Sequence, residues 1–242
     1  MRDDQESTTN GPDSDTKGTA LQLLHTAEVH VATFDRLLKQ SGTSARWGHH
    51  VAEELLERAR GEGLTASLRD ELREALRGLA KSCTGNGLIL CTCSTLGGLA
   101  EEMSGEIGRP VLRLDRALAE AALAKANQTN ENRVTVLCAV ASTIEPTKTL
   151  FEDVARSMEW KGKMELELVE DVWDLFLGGD NTGYLQKIAE VIRMMEPKSD
   201  VVVLAQASMA GAAELLPDIQ VPILSSPKLG VEKALAMLAA ES

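Results

Sequence analysis

The chain has 242 residues and a formal net charge of −12, from 37 acidic against 25 basic side chains. That charge repels nucleic-acid backbones and anionic membranes, and three Trp, three Phe and one Tyr are too few for a base-stacking platform or a large aromatic pocket. A small polar ligand fits better, and it can be an anion, because distant surface charges are screened over about 8 Å at physiological salt.

In chain order, Met1 to Gly18, MRDDQESTTNGPDSDTKG, is acidic and polar and predicts a disordered tail. No charged-then-apolar leader opens the chain, and no apolar run reaches the roughly 18 residues of a membrane span. From Thr19 onward short apolar runs alternate with amphipathic stretches, the signature of an α/β fold with parallel strands covered on both faces. Candidate strands lie near Ala20 to Leu24, Gly87 to Thr92, Pro110 to Arg113, Arg133 to Val140, Met164 to Val169, Val201 to Ala205 and Val221 to Leu224. Helical spacing links Leu64, Leu68, Leu72, Leu76 and Leu79, and similar stripes run over Glu28 to Gln40, Asp115 to Ala126, Thr147 to Met158 and Thr182 to Met195. No Gly/Ser linker interrupts the chain after Gly18.

Gly87 to Gly98, GLILCTCSTLGG, reads as a buried strand feeding a helix, with Ser94 or Thr95 as the N-cap. Cys93 then stands at a helix N-terminus, where unsatisfied N–H groups favour both a bound anion and a thiolate, lowering the thiol below its reference pKa of about 8.5. The hydroxyls of Thr92, Ser94 and Thr95 add donors for a carboxylate. The alternative for Cys93 is a small buried residue at a tight junction. Cys91 falls inside the strand, and Cys83 and Cys138 read as packing residues. Four cysteines in a chain of this size are not a disulfide framework and point to a reducing, cytoplasmic setting. No metal site is expected: Cys91-x-Cys93 lacks a second pair, and His49 and His50 do not share a helical face. One intervening residue also makes a Cys91–Cys93 disulfide strained.

Asp200 to Gly211, DVVVLAQASMAG, repeats the strand and small polar loop, with Gln206 where the first copy has a thiol. At these two units the sequence resembles the aspartate/glutamate/hydantoin racemase superfamily. Cys93-Ser94-Thr95 is similar to that family's first Cys-Asn/Ser-Thr motif, and Leu204-Ala205-Gln206-Ala207-Ser208-Met209 to its second, Cys-containing motif. Val221-Pro222-Ile223-Leu224 resembles its closing strand, and Ala139 to Thr147, AVASTIEPT, its Thr-rich carboxylate loop.

The resemblance implies two pseudo-symmetric, doubly wound parallel-sheet lobes, residues 19–112 with 210–242 and residues 113–209, with the active site in the cleft between them. It implies a cofactor-independent isomerase or lyase acting on a small carboxylate, a catalytic Cys93, and a substrate held by Thr92, Ser94, Thr95, Ser142, Thr143, Thr147, Gln206 and Ser208. The Met- and Leu-rich helices would permit a homo-oligomer, which is common in the superfamily.

Gln206 departs from the pattern. A two-base racemase needs a titrating group on each face of the substrate carbon, and an amide can only orient. His25, closing the first candidate strand on the ligand side of a parallel sheet, is a second proton source or simply a strand-end histidine bonded to a loop. Ser142, Thr143 and Thr147 also serve as helix caps in the plainer reading. Arg113 and Asp115 either bridge the lobes or guide an anion, or else Asp115 caps a helix beside solvated arginines. Glu145 is an acid/base candidate or a solvated loop residue, and Ser225 and Ser226 are placed to cap the return helix. The alternative to an enzyme is a racemase-fold protein that binds a carboxylate without turnover.

Overall fold

The computed structural model describes residues 19–240, so the expected acidic tail lies outside the described residues. The first half runs β1 (Thr19–His25), α1 (Val29–Gln40), β2 (Trp47–Val51), α2 (Glu53–Glu62), α3 (Ala66–Ser82), β3 (Cys83–Cys91), α4 (Ser94–Glu102), α5 (Ser104–Ile107), β4 (Val111–Arg113) and α6 (Arg116–Ala126). The second half runs β5 (Arg133–Cys138), α7 (Ile144–Ser157), β6 (Lys163–Leu168), α8 (Trp173–Leu177), α9 (Asn181–Met195), β7 (Val201–Leu204), β8 (Ile223–Ser225) and α10 (Ser226–Ala240). Short 3-10 turns occupy Ala141–Thr143, Glu196–Lys198 and Ala207–Leu215.

Among the described residues all strand pairs are parallel, and they form two four-stranded sheets in the orders β2-β1-β3-β4 and β6-β5-β7-β8. The two orders are the same pattern used twice, so β3 with its Cys93 and β7 with its Gln206 occupy equivalent places.

The continuous apolar runs become central strands because both of their faces are covered. Leu88, Ile89, Leu90 and Cys91 are at most 1 % exposed, and alternation sends them to opposite layers. Ile89 and Cys91 meet Leu55 of α2, Leu68, Leu72 and Leu76 of α3, and Leu96 of α4. Leu88 and Leu90 meet Phe34 and Leu38 of α1 with Val231 and Ala234 of α10. In the second sheet Val134, Val136, Val201 and Val203 pack on Leu118 and Leu123 of α6 and Phe151 of α7. Leu137, Val202 and Leu204 face Tyr184, Ile188 and Ile192 of α9.

Four details differ from the sequence reading. β2, WGHHV, carries no apolar run because it is an edge strand, paired only with β1 and mostly half-buried. Leu64 is 49 % exposed and precedes the helix: Thr65 caps α3 by accepting from the Leu68 N–H, so the buried stripe starts at Leu68. The small-residue segment after β7 winds as a 3-10 turn rather than an α-helix. β8 pairs with β7, so the chain leaves the second sheet after Ser225 rather than near residue 210.

From there α10 returns to the first sheet. Gly230 makes the approach fit, since a Cβ there would stand 2.7 Å from the Leu114 carbonyl oxygen. Among the described residues no helix is long and apolar enough to cross a membrane.

Candidate functional site

Strand order reverses beside β1 and β3 in the first sheet and beside β5 and β7 in the second, and ligands of parallel sheets bind outside such carboxyl ends. The segments leaving these four strands face one another across a cleft. Thr26, Thr92, Cys93, Ser94 and Thr95 form one wall, and Val140, Thr143, Gln206, Ala207 and Ser208 form the other. Ala27, His30, Leu56 and Trp173 complete it. The space between the walls is about 30 Å³.

Cys93 itself is the N-cap residue of α4, in extended conformation, and Ser94 is the first helical residue. The expected position at a helix N-terminus is thus present, but burial outweighs its effect on acidity. Burial pushes the Cys93 thiol above its usual range, against the Thr26 hydroxyl and the Leu96 and Thr95 backbone N–H groups, which stabilise the anion only in part. Cys91 lies in β3, outside the cleft lining, and its thiol is also raised by burial. Cys83 and Cys138 are packed in the two cores.

The hydroxyls next to Cys93 are mostly engaged between the lobes. Ser94 Oγ donates to the Ala205 carbonyl at 2.8 Å. Thr95 Oγ1 lies 3.2 Å from Thr143 Oγ1 and 3.3 Å from Ser142 Oγ. Thr143 starts α7 without capping it, and its side chain turns to this hydroxyl cluster instead. Ser208 Oγ bonds the Tyr184 hydroxyl at 2.8 Å.

Ser142 and Thr147 are not in the cleft wall. Thr147 is buried one turn into α7, beside Cys138. Glu145 is exposed on that helix, and Ser226 opens α10.

His25 also stands behind the wall rather than in it. Thr92 Oγ1 donates to the Leu24 carbonyl at 3.1 Å, so it accepts from His25 Nδ1 at 2.8 Å. His25 Nε2 is then the acceptor for His49 Nδ1 at 2.8 Å. Burial, reinforced by His49, His30 and His50, pushes the His25 pKa down to about 2. The ring is held by two bonds outside the cleft lining, an arrangement that matches the strand-end reading of His25.

The lowered pKa has a measurable sign. Unfolded His25 binds a proton below about pH 6.5 and the folded ring does not, so stability is full above that pH and falls below it. The expected loss from this ring is about 1.4 kcal/mol per pH unit. Urea titrations at stepwise lower pH measure it, and His25→Gln should flatten the slope; an unchanged slope would exclude His25 as its source.

Arg113 and Asp115 are bonded to each other. Nε donates to Oδ1 at 2.7 Å and Nη2 to Oδ2 at 3.0 Å, with both residues at most 6 % exposed. Nη2 also reaches the Pro146 carbonyl of α7 at 3.4 Å, so the pair joins the lobes instead of meeting an anion. Gly97 and Gly98 of α4 make room: a Cβ on Gly97 would stand 3.0 Å from Arg113 Cβ, and one on Gly98 3.0 Å from Nη1. Asp115 makes no side-chain cap for α6, and Arg116 pairs with Glu101.

Sequence reasoning missed Thr26, Ala27, His30, Leu56 and Trp173. Thr26 follows a central strand directly and was findable by the switch-point rule. Leu56 and Trp173 arrive from α2 and α8 by tertiary packing and carry no local signal. Among the described residues, no Asp, Glu, Lys or Arg lines the cleft, and no three His, Cys, Asp or Glu gather to hold a metal.

The architecture matches solved structures of low sequence identity. Glutamate racemase isoform RacE1 from Bacillus anthracis superposes with a TM-score of 0.67 at 12 % identity, covering 93 % of this chain and 83 % of that one. Picrophilus torridus aspartate racemase gives 0.66 at 14 % identity, covering 92 % and 95 %. A sulfate-associated mutant of arylmalonate decarboxylase gives 0.58 at 16 % identity, covering 92 % and 94 %. A search of curated proteins finds no match. The family model for Asp/Glu/Hydantoin racemase matches residues 31–234, and with two repeated lobes meeting at Cys93 and Gln206, the chain belongs to the Asp/Glu/hydantoin racemase family.

Proposed function

We propose that the protein is a cofactor-independent isomerase or lyase that acts on a small carboxylate through the single thiol of Cys93. The observation that carries this reading is the placement of Cys93 in the interlobe cleft, bonded by Thr26 and two α4 N–H groups, opposite a position held by an amide instead of a second thiol. Such an arrangement suits one-sided proton transfer: the substrate carboxylate takes the hydroxyl and N–H donors, and Cys93 gives or removes one proton. Donors aimed at a developing enolate oxygen contribute about 3 kcal/mol each in a closed site. The neighbours named for racemases and for arylmalonate decarboxylase support an enzyme of this general kind.

A second reading, a carboxylate-binding protein without turnover, draws on one observation: burial raises the thiol pKa instead of activating it. Proton NMR in heavy water separates the two. With amino acids, hydroxy acids, arylmalonates and maleate as the panel, the expected result is deuterium incorporation, decarboxylation or cis-trans conversion that vanishes in Cys93→Ala. Turnover that survives in Cys93→Ala would sink the single-thiol reading; binding with no turnover would establish the second one.

A further inference from the structure

Two buried polar atoms in the cleft have no partner, and both can only donate. Gln206 is 8 % exposed, and its Oε1 accepts from the Ala139 backbone N–H at 2.7 Å. Since that N–H has no acceptor capacity, the amide cannot be turned around, and Nε2 is the end left unpartnered. The second atom is Trp173 Nε1, an indole N–H on α8. Arg60 of α2 lies over that ring, 5.6 Å from its centroid, and holds it in place from the other lobe.

An unsatisfied buried donor is costly unless a ligand supplies an acceptor. The ligand is therefore asked for acceptors at both positions, beside the donors at the start of α4. It is offered no anion: the lining has no carboxylate, and His30, the imidazole in the wall, is a neutral ring because burial lowers its pKa to about 4. An ammonium group placed there would lose its hydration without a counter-ion.

We propose that this cleft takes nitrogen-free small carboxylic acids with acceptor groups at two ends, such as malonate-type, succinate-type or 2-hydroxy diacids, and discriminates against α-amino acids. The proposal rests on the reading of the Cys93 cleft as the reacting site and narrows its substrate. Gln206 and Trp173 are then specificity-determining residues, one donor from each.

Matched pairs test it directly by titration calorimetry at fixed ionic strength: malate against aspartate, and 2-hydroxyglutarate against glutamate, which differ at one substituent. The hydroxy acids are expected to bind about tenfold tighter or more, the factor one charge-assisted hydrogen bond supplies. Trp173→Phe should weaken malate about tenfold while keeping the fold, as melting curves would confirm. Gln206→Glu keeps an acceptor for the Ala139 N–H and places a negative charge in the cleft, so malate should weaken and aspartate gain.

Amino acids binding as tightly as their hydroxy partners, no binding by any of the four, or no change in either variant would overturn the proposal. Cys93-dependent turnover of an amino acid would overturn it while leaving the single-thiol reading intact. Selective binding without Cys93-dependent turnover of any acid would do the reverse.

Discussion

Arg113→Ala is expected to cost about 3–5 kcal/mol of stability, because it strands the Asp115 carboxylate in a site that is 2 % exposed. For a chain of this length that is a fall of roughly 6–20 °C in Tm. The loss is that of a bidentate partner, of a link to the Pro146 carbonyl and of the packing of Arg113 on Gly97 and Gly98. The paired replacement, Arg113→Met with Asp115→Leu, removes both charges together and should recover most of the stability. Thermal melts of the single and double variants decide it. If the double variant melts as low as the single one, the cost lies in lost shape rather than in an uncompensated charge.

Cys93→Ser is expected to lower kcat by about 10²–10⁴ on whichever acid the protein turns over, the range a positioned proton-transfer group supplies. The pH profile of the unaltered protein carries more information. Because burial holds the thiol above its ordinary range, Cys93 is protonated through neutrality and suited to act as a donor. Donation gives a rate that stays level across neutral pH and falls as the raised pKa is passed. Action as a thiolate gives the opposite limb, a tenfold gain per pH unit up to that pKa. A rate already falling between about pH 6 and about pH 8 would contradict the raised pKa itself.

The parts of this structure that were legible in the sequence are those encoded within one segment. The run from Gly87 to Gly98 announces a buried strand, a sharp junction and a small-residue helix, and each follows from residue type. The repeat of that pattern at Asp200 announces the second lobe. What was not legible depends on packing between distant segments. Burial beside Leu24, Leu55 and Leu96 raises the Cys93 thiol where the helix start alone would lower it, which no local motif records. Thr147 shares the Thr-rich stretch and the helix face with Thr143, yet one turn, about 6 Å, is enough to carry it past the cleft wall into the core beside Cys138. β2 escaped because an edge strand with two histidines needs no apolar run, and it brings His49 to His25.

The return of α10 sets an order of assembly. The second sheet draws its strands from one unbroken stretch, Arg133 to Ser225, whereas one face of the first sheet is covered by Val231 and Ala234, among the last residues described. During synthesis from the N-terminus, Leu21, Leu23, Leu88 and Leu90 emerge first with only α1 as partial cover, and the rest of their cover arrives after Ser225 has been made. The later-made half can therefore complete its packing before the earlier one. In the cell the earlier sheet is the part that needs shielding from aggregation, and a chain truncated before α10 would be a substrate for chaperones and proteases rather than a smaller working lobe.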